Sequence, residues 1–103
     1  MSEPLPIEVS ALARAHVHTA DTWWQANRPK APGAIRSELE RAAALLAFQP
    51  NIGARATNTT LTNVRRLHLG RIHYDLYYRV ADAPRRLEIL AFWHASRGGQ
   101  PPI

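Results

Sequence analysis

No cysteine occurs among the 103 residues, which excludes disulfide scaffolds, thiolate nucleophiles and cysteine-based zinc sites. Glycine is scarce. Gly33, Gly53, Gly70, Gly98 and Gly99 are the only five, and their spacing makes no phosphate-cradling loop. Long apolar runs are missing too: the longest, Ala42 to Phe48, is far short of the ~20 residues that cross a bilayer. Met1 to Val9 carries Glu3, Pro4, Pro6 and Glu8, a composition no secretory signal peptide tolerates. No HExxH-type motif and no nucleophile elbow is present, so neither zinc hydrolysis nor Ser-His-Asp chemistry has a signature here. The expectation is a soluble cytoplasmic protein with no cofactor, no metal and no membrane contact.

The length suits one domain with a modest core, residues 1–103. Charge is unevenly spread. Residues 1–50 hold five basic and five acidic side chains, whereas residues 51–103 hold eight arginines against Asp75, Asp82 and Glu88. The whole excess of +5 therefore lies in the second half, and a one-sided basic surface attracts polyanions or an acidic protein partner. Twelve arginines, one lysine and seventeen alanines also fit a GC-rich codon supply. Codon supply alone would enrich both halves, however.

Pro6 to Val9 reads as a short strand, and Ser10 as a helix N-cap whose hydroxyl takes a free backbone N–H. The segment from Ala11 to about Asn27 has no glycine or proline. Its apolar stripes are Leu12, Ala15, Thr19 and Trp23 beside Ala20, Trp24 and Asn27. A second helix is predicted over Ala34 to Phe48, with Ile35, Leu39, Ala42 and Leu46 at helical spacing. The short Pro29–Gly33 connection predicts an antiparallel helical hairpin over about 10–48. Residues 50–63 read as a polar loop.

A three-stranded meander over 64–94 follows, with a tail at 95–103. In Val64–Leu69, Leu67 and Leu69 oppose Arg66 and His68. Gly70-Arg71 reads as a two-residue turn with glycine at positive φ. The strand Ile72–Val80 alternates most clearly: Ile72, Tyr74, Leu76, Tyr78 and Val80 form an apolar face, and His73, Asp75, Tyr77 and Arg79 a polar one. Leu87–His94 completes the meander. Its second face is also mostly apolar through Leu90 and Phe92, which marks it as central or covered. The predicted fold is α+β: a helical hairpin on one face of a small twisted antiparallel sheet, in the order β-α-α-β-β-β. The opposite face, with Arg66, His68, His73, Asp75, Tyr77, Arg79 and His94, is the functional candidate. His68, His73 and Asp75 could in principle hold zinc, though solvated or hydrogen-bonded sheet histidines are the simpler account. Tyr77 could stack on a base or cover arginine stems.

Three stretches resemble the helical half of the RelE/ParE toxins of type II toxin–antitoxin systems: Trp23-Trp24-x-x-Asn27-Arg28-Pro29, Glu38-Leu39-Glu40-Arg41-Ala42 and Pro50-x-x-Gly53. Val64–Leu69, His73–Val80 and Ile89–Arg97 are similar to the sheet half, so the likeness covers about residues 6–101. It implies a cognate acidic antitoxin as partner, with Trp23, Trp24, Arg28 and Leu39 on the antitoxin side. It also implies one of two targets. RelE-like members cut mRNA on the ribosome; ParE-like members poison DNA gyrase. RelE-like toxins carry an arginine where this chain has Asp75, and another basic residue near Ala95. An acid beside a scissile phosphate costs on the order of 1–4 kcal/mol in partly screened surroundings. The Trp-Trp and Trp-His-x-x-Arg stretches look more like the ParE branch, which implies no catalytic residue. The expected target-binding residues are then Arg66, His73, Tyr77, Arg79, His94 and Arg97. The alternatives are an endoribonuclease, with His94 as acid–base and Arg66, Arg79 and Arg97 at the phosphate, or a non-toxic relative kept as a complex component.

Overall fold

A computed structural model describes residues 3–103. Two helices pack on one face of a five-stranded sheet. The elements run β1 (Ile7–Val9), α1 (Ala11–Asn27), α2 (Ala34–Phe48), β2 (Ala54–Arg55), β3 (Arg65–Leu69), β4 (Tyr74–Ala81) and β5 (Arg86–His94). Strand order is β1-β5-β4-β3-β2. β1 lies parallel to β5, and every other pairing is antiparallel. The sheet is therefore mixed rather than purely antiparallel: the helical hairpin carries the chain from β1 at one edge to β2 at the other, and the following strands return until β5 lies beside β1. β2 was not foreseen. Two residues inside the polar loop pair with Arg66 and Arg65, too few to leave an alternating signal.

Ser10 caps α1 as expected: its Oγ accepts from Ala13 N at 3.0 Å and donates to Leu90 O at 3.2 Å. One hydroxyl thus satisfies a helix-end donor and fixes the helix to the sheet. The buried face of α1 is Ala13, Val17, Ala20 and Asp21, with Trp24 packed beside it. This corrects the predicted Leu12-Ala15-Thr19-Trp23 stripe, which faces outward and leaves Trp23 49% exposed. Alanines fill much of the true inner face, so two of the large apolar residues of α1, Leu12 and Trp23, lie outside the core. α2 buries Ile35, Ala42 and Leu46, with Leu39 packed against them. Asp21, 5% exposed, ties the hairpin by accepting from Arg36 Nε at 3.0 Å and Gln25 Nε2 at 3.1 Å.

Between Tyr77 and Tyr78 the β4–β5 register shifts: Tyr77 faces Ala91, but Tyr78 faces Ile89. Leu90 is the extra residue of a β-bulge, and beyond it each β5 side chain changes face. Leu87, Ile89 and Phe92 join Leu76 and Tyr78 under the helices. On the far side, Tyr77, Leu90, Ala91 and Val64 form a second, smaller core, covered by Ala56, Trp93 and Ile103. Ile103 is held there by Thr60 N donating to its carbonyl oxygen. Among the described residues, no helix is long and apolar enough to cross a membrane.

Candidate functional site

Strand alternation places Arg66, His68, Asp75 and Arg79 on the face away from the helices, as the sequence predicts. Their neighbours change what they can do. His68 Nδ1 lies 2.8 Å from Asp75 Oδ1, so the acid has a hydrogen-bond partner across the strand pair. Arg79 Nε donates to Glu88 Oε1 at 2.7 Å, and Arg86 Nη2 reaches Glu88 Oε2 at 3.2 Å. Arg86 also sits 3.1 Å from Glu8. The Arg79 hydrogen bond holds the Glu88 carboxyl below the usual carboxylate range, against a smaller opposing push from burial. Arg79 is thus a neutralised rung in a charge ladder across β1, β5 and β4, not a free cation.

Of the expected target-binding residues, one is buried on its predicted face and two are displaced. Tyr77 is 2% exposed, packed in the second core with its hydroxyl accepting from Asn58 Nδ2 at 3.2 Å. The tail and the 56–64 segment bury it, so it offers no surface to a partner. His73 is not on the strand. It occupies the turn before β4 at φ 60°, with Ala95 N donating to its carbonyl. The turn spans Gly70–His73 rather than two residues, Ile72 folds back into the core, and His73, not Gly70, takes the left-handed conformation. His94 is opposite Tyr74 and therefore on the helix side, where its ring stands edge-on to Tyr74 at 5.0 Å. The bulge at Leu90 moved it there.

That displacement assembles a different site. His16, Tyr74, Phe92, Trp93, His94 and Arg97 line a cavity of about 370 Å³ between α1, the end of β5 and the tail. Tyr74 stacks on Phe92 at 4.5 Å, and the Arg97 guanidinium lies 4.0 Å over the Trp93 ring, a cation–π contact. His16 Nδ1 accepts from Phe92 N at 3.2 Å. Burial, and secondarily Arg97, push its pKa below the ordinary imidazole value, so the neutral ring belongs to the fold. His94 Nδ1 accepts from Ser96 N at 3.1 Å, which leaves Nε2 outside that bond. Burial raises the Tyr74 pKa. Sequence reading missed His16 and Tyr74, since nothing local joins a helix residue to a strand end 58 positions away.

Chemically, the cavity offers ring faces, one guanidinium and imidazole nitrogens. It brings His94 and Arg97 together but not the other two members of the nuclease alternative. Arg66 lies on the opposite face, and Arg79 is five residues along β4 from Tyr74, about 16 Å at strand rise. Among the described residues, no group of three or more His, Asp or Glu side chains is placed to hold a metal. On the helical side, Trp23 and Trp24 meet edge to face at 6.3 Å, with Arg28 5.6 and 5.9 Å from the two ring centres. Trp24 Nε1 donates to Ala31 O at 2.9 Å and pins the hairpin connection. Leu39 is half-buried.

Residues 7–98 match the sequence profile of the ParE toxin of type II toxin–antitoxin systems, parDE. The chain belongs to the ParE toxin family. Within that family's wider fold, a chain from a chromosomal ParDE system of P. aeruginosa superposes with a TM-score of 0.72 at 20% identity, covering 92% of this chain and 100% of its own. A chain from the toxin–antitoxin complex RelBE2 of Mycobacterium tuberculosis gives 0.65 at 22% identity, covering 89% and 99%. No curated protein sequence matches. At these identities the superpositions establish a shared fold. Membership in the superfamily and the helical-hairpin-on-sheet architecture agree with the sequence reading.

Proposed function

We propose that this chain is a toxin that arrests DNA gyrase by binding, with no catalytic residue of its own, and that a cognate antitoxin silences it. The match of residues 7–98 to the ParE family carries the reading. The scattering of the nuclease set supports it: Arg79 is spent on Glu88, Arg66 and His94 lie on opposite faces, and Asp75 stands where a phosphate would need a cation. Of the expected target-binding residues, His94 and Arg97 at the aromatic cavity, His73 in the adjoining turn and exposed Arg66 remain as contacts for the target. Trp23, Trp24, Arg28 and Leu39 serve the antitoxin, whose apolar side chains would seat against the exposed indole with acidic groups near Arg28.

The test is a supercoiling assay with purified chain and gyrase. Loss of supercoiling, or accumulation of cleaved DNA held by gyrase, is the expected result. Normal supercoiling at saturating toxin would refute the reading. Co-expression with the product of the adjacent reading frame tests the partner: a stable complex is expected, disrupted by Trp23→Ala.

A further inference from the structure

The eight arginines of the second half do not spread evenly. Arg55, Arg65, Arg79 and Arg85 line one cleft of about 430 Å³. Four separate segments build it: the turn after α2, β2, the start of β3, and the end of β4 with the turn behind it. Gly53 makes the packing of its floor feasible. A Cβ there would lie 2.5 Å from the Tyr78 hydroxyl, which accepts from Gly53 N at 3.0 Å and donates to Pro50 O at 2.8 Å. Arg65 Nη1 donates to Gly53 O at 2.7 Å, so a backbone carbonyl orients that guanidinium without neutralising it. Arg79 is paired with Glu88. Arg55, Arg65 and Arg85 have no carboxylate within 4.0 Å among the described residues. Among the described residues, Asp82 is the single acid on the wall.

Three arginines without a carboxylate partner border one concavity; like charges gathered there repel one another, and an anion seated among them removes that cost. The other polar walls, Asn51, Thr57 and Asn63, supply hydrogen-bonding groups. Of the apolar lining, Val64 and Tyr78 are buried and Pro50, Ala56 and Val80 are half-buried and small, so the cleft offers no large exposed hydrophobic anchor. An acidic helix docking on a protein needs such anchors; a phosphodiester backbone needs only charge and hydrogen bonds. We propose that this cleft binds the sugar–phosphate backbone of a nucleic acid, through Arg55, Arg65 and Arg85. The site is separate from the aromatic cavity and independent of which enzyme the toxin arrests, so gyrase inhibition and nucleic-acid binding fail or succeed separately.

Fluorescence anisotropy of the isolated full chain tests this, with a labelled 20-bp DNA duplex and a 20-nucleotide single-stranded RNA across 50–200 mM salt. Two to three phosphate contacts give a log–log salt slope of about −2 to −3 on duplex, or roughly a 10- to 40-fold loss of affinity over that range. Arg55→Gln with Arg85→Gln, both exposed and free of ion pairs among the described residues, removes about 1.8 from the slope. Arg14→Gln with Arg41→Gln, an equal charge loss on the helices, leaves the slope unchanged. The tighter of the two probes identifies the source of the backbone. Absence of binding to both probes at 50 mM salt overturns the proposal, as do equal effects of the two double variants. Tighter binding of a 20-residue polyglutamate than of either nucleic acid, lost in the cleft variant, also overturns it.

Discussion

Replacing Tyr78 by phenylalanine removes one oxygen atom and strands two backbone groups. The Tyr78 side chain is fully buried, as is Gly53, and no described side chain other than Tyr78 is hydrogen-bonded to the Gly53 N–H. A buried donor left without a partner costs about 1–3 kcal/mol, and the lost bond to Pro50 O adds about 1 kcal/mol. Shedding a buried hydroxyl returns part of this, so Tyr78→Phe is expected to destabilise the chain by about 2–3 kcal/mol. For a domain of this size that lowers the melting temperature by roughly 10–20 °C. Thermal unfolding followed by circular dichroism measures it, and urea unfolding with an unchanged m-value confirms that the folded state alone was affected. Amide exchange at Gly53 should lose its protection in the variant. Gly53→Ala supplies the second arm of a cycle: its Cβ meets the Tyr78 hydroxyl first, so it costs less in the Tyr78→Phe background than in the parent. A loss below about 0.5 kcal/mol for Tyr78→Phe, or strictly additive effects, would show that the hydroxyl does not organise the turn after α2.

Other outcomes follow from the same contacts. The Glu88 pKa is depressed in the fold, so its contribution is present above the ordinary glutamate range and vanishes as pH falls through the folded value; Glu88→Gln should flatten the acid limb of a stability–pH curve, and an unchanged limb would refute the ladder. His16 is held neutral, so stability should fall as pH drops below the ordinary imidazole range, and His16→Asn should remove that step in urea midpoints measured from pH 8 to pH 5. Tyr77→Ala, in the second core, is expected to cost about 3–5 kcal/mol by the large-to-small rule for buried aromatics, whereas a solvent-facing tyrosine would cost almost nothing. Trp23→Ala should change stability by less than about 0.5 kcal/mol yet weaken antitoxin capture at least tenfold in surface plasmon resonance; unaltered capture would move the partner surface elsewhere.

Much of the scaffold was legible in the chain. Proline and glycine bracket both helices, Ser10 announces the first, and β4 alternates so regularly that Tyr74, Leu76, Tyr78 and Val80 declare the face under the hairpin. The inner stripe of α1 was misread because alanine carries little hydrophobic signal, while Leu12 and Trp23 carry much and face outward. The site was less legible. A single inserted residue at Leu90 has no mark of its own in an apolar run, yet it carries His94 across the sheet. Tyr77 looks like a surface residue by alternation, and only the returning tail, pinned at Ile103, buries it.

Sequence alone determined every element type except β2, the paired helices, the apolar side of β4 and the basic bias of the second half, since these follow from local spacing and composition. Tertiary structure decided which cations are free and which are spent. Arg79 and Arg85 are near neighbours in the chain, yet one meets Glu88 across the ladder and the other faces an open cleft with Arg55 and Arg65. Pairing of that kind depends on strand register and chain return, and these are fixed only when distant segments pack.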